Sequence, residues 1–221
     1  VSCRAYKARR QAQRETWIAD AELAFPGPRP FVIQSFTGSP ENPFAELDAD
    51  AIPLPCPDDY WAGPCKVQRI AYLALAGDYD FVFKCDDDTY IHVPRLLASG
   101  FEKHDYVGWT LEREYYAQGG AGYWLSKRAL EAIVKHGVKH YEEDAGVGLA
   151  LAKEQIFPVH DSRYQPGMGP NEALAPAKDN SIITLHNCRP EHALPPSSRP
   201  NVYHAGSFRR TMQAAQEAFW R

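Results

Sequence analysis

Apolar and polar positions fall into blocks along the chain, and the repeat changes from block to block. Tyr6 to Ala24 reads as a helix: Ala, Arg, Gln and Glu dominate, and Trp17, Ala21 and Ala24 recur on one face. Pro26, Pro28 and Pro30 end it. Val1 to Cys3 reads as the end of a first strand and Phe31 to Phe36 as a second. Helical spacing returns between Lys66 and Ala76 through Val67, Ile70, Ala71, Leu73 and Ala74, and Gly77 stops it. Phe81-Val82-Phe83 is then a short apolar run of strand-forming residues, read as the central strand. Val93 to Ser99 predicts a short helix with Pro94 in its first turn, and Tyr106 to Trp109 a strand. Ser126 is placed to cap a helix from Lys127 to His136. Leu149 to Lys153 is a further apolar helical stretch, and Ile182 to His186 a late strand ending on histidine. From Pro190 to Pro200 the chain reads as a proline-rich loop, followed by a short aromatic helix.

The central strand runs straight into Asp86-Asp87-Asp88. No core tolerates three unpaired carboxylates, since burying one without a partner costs several kcal/mol. The triplet is therefore expected where the strand leaves the sheet, facing water, a cation or both. In α/β proteins that is the crevice where ligands bind. If extended geometry persists, Asp86 and Asp88 share one face and Asp87 takes the other. Two carboxylates on one face suit a hard divalent cation. Acidic triplets are common at solvated turns, but a solvated turn needs no apolar strand leading into it.

Composition narrows the possibilities. The 221 residues are 44% hydrophobic and 24% charged, which fits one globular domain with a sizeable core. A formal charge of −4 and a pI near 6.1 argue against a general nucleic-acid binder. An anionic substrate would need a local cationic cluster or a metal. No apolar run is long enough for a membrane span, and no signal peptide is recognised. The opening Val-Ser-Cys, without methionine, leads us to expect a processed or trimmed product. Of five cysteines, Cys56 and Cys65 bracket a Pro/Asp/Gly loop that a small disulfide would close. Cys3 and Cys85 read as small buried hydrophobes, and no Cys/His spacing suggests zinc.

Other stretches carry candidate chemistry. The first helix starts with Arg4, Lys7, Arg9, Arg10 and Arg14, most of which are expected on a solvated face. Cations at a helix start oppose the macrodipole unless an anion is near. Gly119-Gly120-Ala121-Gly122 is poor strand or helix material; it reads either as a tight turn or as backbone approached closely by a ligand. Tyr115, Tyr116, Tyr123 and Trp124 beside it offer flat aromatic faces, about half of them expected in the core. Glu142, Glu143 and Asp144 precede a helix, where carboxylates are favoured.

Taken in order, these blocks resemble the Fringe-like and β-1,3-galactosyltransferase group, glycosyltransferase family 31. The resemblance rests on Arg9 to Trp17, Tyr79 to Tyr90, Gly119 to Tyr123 with Leu125-Ser126, Glu143-Asp144 with Val147-Gly148, and Leu185-His186. It implies an α/β chain with the GT-A fold, a Rossmann-like, mostly parallel mixed sheet flanked by helices. It further implies a single catalytic domain over residues 1–221, with a nucleotide-binding half to about residue 110, an acceptor side to about 190 and a tail beyond. The activity it implies is inverting transfer of a hexose or N-acetylhexosamine, galactose first, from a UDP-sugar to an acceptor glycan hydroxyl, with a β-1,3 linkage. By the same resemblance Asp88, Asp86 and His186 would bind Mn²⁺ or Mg²⁺, and Asp86 or Asp87 would meet the donor. Asp144 would be the catalytic base. Arg9 or Arg10, with Gly119 and Gly120, would complete the donor site. The compartment would be the Golgi lumen for a eukaryotic chain or the cytoplasm for a bacterial one. Two rival functions stand beside it: a silent carbohydrate-binding domain of the same fold, and another metal-dependent nucleotide-processing enzyme. The second would use the triplet with two metals, but no second acidic pair with phosphate-loop glycines is seen.

Overall fold

The computed structural model of the protein describes residues 1–39, 48–111, 115–167 and 181–188. The proline-rich tail and the terminal helix expected after it lie outside the described residues. Residues 1–3 are extended without being a strand; Ser2 N–H donates to the Phe36 carbonyl at 2.9 Å. A 3₁₀ turn at Arg4–Tyr6 leads into α1 (Lys7–Gln13), a π-turn (Arg14–Ile18) and α2 (Ala19–Ala24). The expected single helix is thus interrupted once. Thr16 leaves helical geometry at φ −122° and ψ −106°, and its Oγ1 donates to the Ala12 carbonyl at 2.7 Å. Such back-bonding bends helices, and π-turns absorb the extra residue. Ala12, Trp17 and Ala21 reach the core. Ala24 does not, because the last turn, residues 22–24, lies wholly outside it. Arg9 and Arg10 are buried rather than solvated, a departure explained by the site below.

The second strand begins later than expected: β1 spans Ser35–Gly38 and pairs in parallel with β2 (Ala51–Leu54). Phe31 and Ile33, apolar enough to read as strand, pack against the core from a loop instead. α3 (Gly63–Ala76) starts three residues before its expected first residue and ends at Gly77. β3 (Phe81–Lys84), α4 (Val93–Leu97) and β5 (Tyr106–Gly108) fall where the pattern predicts them, as does α5 (Lys127–His136), capped by Ser126 Oγ. Cys56 and Cys65 form the disulfide. Cys3 and Cys188 are buried and Cys85 is half-buried.

The glycine-rich reading hid β6 (Tyr123–Ser126). It lies between β3 and β5, antiparallel to both, and β5 pairs in parallel with β7 (Val159–His160). β3 is therefore an edge strand of this sheet rather than its central one, and β6 and β5 are the inner strands. Along β6 the side chains alternate faces. Trp124 joins one apolar cluster, with Trp17, Tyr90 and Leu185, and Tyr123 and Leu125 join another, with Val67, Ile133 and Leu151. A third small sheet sets β4 (Tyr90–Ile91) antiparallel to β9 (Thr184–Leu185), which pairs in parallel with β8 (Tyr164–Gln165).

Helices and mixed sheets together make an α/β architecture, but the sheet is not mostly parallel. Three of the six strand pairings among the described residues are antiparallel. α6 (Glu143–Ala152) begins six residues before the expected Leu149. Its Gly146 and Gly148 lower helix propensity. Both are needed for packing: a Cβ on Gly146 would strike Val138, and one on Gly148 would strike Tyr115 and Tyr116. Among the described residues no helix is long and apolar enough to cross a membrane.

Candidate metal-binding and catalytic cleft

β3 ends at Lys84, and Asp87-Asp88 form a turn, so extended geometry does not persist. The separation of the three carboxylates is found all the same. Asp86, Asp88 and His186 bring their ligand atoms within 4.8 Å of one another. Asp87 turns to the other side, accepting from Ser2 Oγ at 2.6 Å and from Arg9 Nη1 at 3.1 Å. Of the triplet, Asp86 is half-buried, while Asp87 and Asp88 are buried. The chain supplies the counter-charges itself. Arg9 Nη1 also lies 3.7 Å from Asp88, and its guanidinium stacks 4.2 Å from the Tyr6 ring centroid. Four residues on, and so on the same helix face, Gln13 Nε2 donates to the backbone carbonyls of Asp86 and Thr89. This is why the cationic start of α1 is stable. Its anions are the triplet and Asp48, which accepts from Arg10 Nε at 2.8 Å.

His186 is oriented by backbone. Its Nδ1 lies 3.0 Å from the Pro166 carbonyl, an oxygen that can only accept, so Nδ1 carries the proton. Nε2 then faces Asp88 Oδ1 at 3.2 Å. Either a second proton or a cation must lie between two such acceptors. A histidine that gives one N–H to a backbone carbonyl and turns its other nitrogen to carboxylates has the arrangement of a metal ligand. Gly120 is part of this construction: a Cβ there would overlap the imidazole. Its carbonyl is held by Thr89 Oγ1 at 2.7 Å.

Lys84 joins the elements beneath. Its buried ammonium lies 2.9 Å from Asp86 and 2.6 Å from Glu143, and donates to the Gly119 carbonyl at 3.2 Å. Burial disfavours the Lys84 charge, but Asp86 and Glu143 override it and raise its pKa. Burial would raise Asp86; Lys84 overrides it and holds that carboxyl below its usual range. Burial, and next the Asp88 charge, push Asp87 up against the pull of Arg9. Adjacent carboxyls are thus driven apart in proton affinity. Burial likewise raises Glu143, opposed by Lys84, and Glu143 also accepts a short hydrogen bond from the Tyr123 hydroxyl.

These groups line a cleft of about 450 Å³. Its walls include Arg9, Lys84, the whole triplet, Gly119, Gly120, Asp144 and His186. Asp144 sits in the first turn of α6 and accepts from Gly119 N–H at 3.2 Å and from Ala145 N–H at 2.9 Å. Gly119 thus meets Asp144 while Gly120 meets His186, and the glycine pair spans from the proposed base to the proposed metal ligands. Arg10 is not among the walls: its guanidinium is taken up by Asp48, Ser2 and the carbonyls of Cys3 and Arg4. Tyr123 and Trp124 are core residues, whereas Tyr116 lines the cleft.

Sequence reasoning passed over Ser2, Gln13, Lys66 and Lys84, and gave Glu143 no role beyond helix capping and the family resemblance. For Lys84 a signal existed: a lysine closing an apolar strand, directly before three carboxylates, must find an anion or leave the core. Lys66 interrupts the apolar face of α3 in the same way, its ammonium donating to the Ser2 and Asp59 carbonyls at 3.0 Å each. No protein-family model matches the chain.

Proposed function

We propose that the protein is a GT-A-type glycosyltransferase that moves a hexose or N-acetylhexosamine, galactose first, from a UDP-sugar to a glycan hydroxyl, inverting the anomeric centre. The observation that carries this is the convergence of Asp86, Asp88 and His186, two segments about a hundred residues apart in sequence, in a cleft whose walls also include Asp144. The two oxygen donors and one imidazole fit a divalent cation such as Mn²⁺. When bound there, it would neutralise charge on the departing diphosphate and act as Lewis acid. The need for it is electrostatic. Seven carboxylate side chains and only three lysine or arginine side chains line the cleft, so a diphosphate would otherwise be repelled.

The chain's own residues have separate tasks. Arg9 and Ser2 hold Asp87 away from the metal ligands, which leaves that carboxylate fixed beside the donor. The Pro166 carbonyl fixes the His186 tautomer. Asp144, held by Gly119 N–H, is the carboxylate that takes the acceptor proton as its oxygen attacks the anomeric carbon. Lys84 keeps Asp86 ionised and ties β3, the glycine turn and α6 into one unit.

Asp144→Asn should abolish transfer and leave UDP–Mn²⁺ affinity within about threefold, measured by calorimetry and a radiolabelled-donor assay. Equal loss of both would remove Asp144 from the role of base. Asp88→Asn, which keeps the side-chain shape, should lower Mn²⁺-dependent UDP binding by at least about tenfold. Unchanged binding would reject the metal site.

A further inference from the structure

Beside the cleft lies a second cavity of about 490 Å³. The two share four wall residues: Asp59, Trp61, Pro64 and Tyr141. Trp61 and Tyr141 are 66% and 65% exposed, and Tyr60 next to Trp61 is 70% exposed. Large aromatic faces left in water at the junction of two cavities are not explained by packing.

Their backbones are firmly held. Tyr60–Ala62 is a 3₁₀ turn capped by Asp59, whose Oδ1 accepts from Ala62 N–H at 2.8 Å, and it leads directly into α3. The Cys56–Cys65 disulfide closes the loop that carries it. Tyr141 precedes α6 by two residues and Asp144 by three, and its ring packs on His140 with centroids 4.5 Å apart. Beyond the aromatic pair, Gln68, Arg69 and His140 add hydrogen-bonding groups to the wall. Rigid aromatic faces with a few convergent polar groups, in a cavity of this size, make a ligand site.

The position says which ligand. An acceptor hydroxyl delivered to Asp144 leaves the rest of its molecule beside the loop that holds Tyr141, and the adjoining cavity opens there. The face of a pyranose carries C–H hydrogens of partial positive charge, which pack on the negative face of an aromatic ring. We infer that the Trp61–Tyr141 junction and the cavity behind it form a second acceptor subsite, holding the sugar ring next to the one that is glycosylated. This rests on the glycosyltransferase reading above. The enzyme would then favour acceptors of two or more rings over monosaccharides.

The test uses the full chain on a printed array of defined mono- and oligosaccharides, with UDP and Mn²⁺ present. UDP–Mn²⁺ affinity is measured in parallel by calorimetry. Trp61→Ala, at an exposed position, and Gln68→Ala, at a wall of the second cavity alone, are compared with the wild type. The expected result is binding of selected oligosaccharides, weakened at least about tenfold by Trp61→Ala and measurably by Gln68→Ala, with the UDP affinity of the Gln68→Ala variant unchanged. Absence of any array binding, equal binding by the variants, or a Gln68→Ala loss that falls on UDP instead would overturn the subsite. If wild-type protein binds no UDP yet binds glycans through Trp61, the transferase reading fails while the sugar site stands.

Discussion

At the scale of single residues, the site depends on one atom that is missing. Gly120 has no Cβ, and that absence admits the His186 ring beside Asp88. Gly120→Ala should therefore displace His186 and lower Mn²⁺ affinity about 10–100-fold, with an unchanged far-UV spectrum. Retained affinity would show that His186 is not a ligand. Cysteines make a second residue-scale case. Burial pushes the thiols of Cys85 and Cys188 up to about 11 and about 12. Neither should react with iodoacetamide at pH 8 in the native protein on the timescale of a model thiol, and both should react in denaturant. Rapid native alkylation would contradict the raised thiol pKa values. The aspartates could be picked out from sequence because charge after an apolar strand demands a site, whereas His186 was singled out only by the family resemblance, since a histidine closing a strand is more often packing than ligand. The role of Gly120 could not, since what a glycine makes room for lies 66 residues away.

At the scale of elements, Lys84 binds β3 to the glycine turn and to α6. Lys84→Met would strand the buried Glu143 carboxylate and should cost about 3–5 kcal/mol in urea unfolding. Lys84→Met combined with Glu143→Leu should recover a good part of that loss. A single-variant cost below about 1 kcal/mol would mean the pair behaves as a surface ion pair. Here the sequence was a partial guide. α3, α4 and α5 were legible because their apolar spacing and caps agree. β6 was not, because three glycines precede it and its alternation feeds two separate cores, so every side chain is buried. The early start of α6 was concealed by Gly146 and Gly148, whose poor propensity is overruled by close packing against Val138 and Tyr116. Phe31 and Ile33 erred in the other direction, being apolar for packing rather than for pairing.

At the scale of the molecule, an acidic chain presents an acidic cleft, and that constrains what it can bind. The cations in the walls are already engaged: Arg9 with Asp87 and Lys84 with Asp86 and Glu143. A diphosphate held there requires charge brought from outside the chain. Strands of both directions and two apolar clusters place this cleft at one end of the β3–β6 pair, where Lys84 lies opposite Tyr123. The overall α/β organisation was readable from the order of blocks. The balance of parallel and antiparallel pairing was not, since it turns on the unread strand β6.

The most direct measurement is the thermal midpoint of the wild-type protein with UDP and with individual UDP-sugars, each with Mn²⁺ and with EDTA. A ligand that binds only the native state raises the midpoint in proportion to its affinity. For a metal-dependent glycosyltransferase, UDP and one UDP-sugar should each raise it when Mn²⁺ is present and leave it unmoved in EDTA. No shift with any nucleotide, or an equal shift in EDTA, would contradict the metal-bridged donor site on which the proposed function rests.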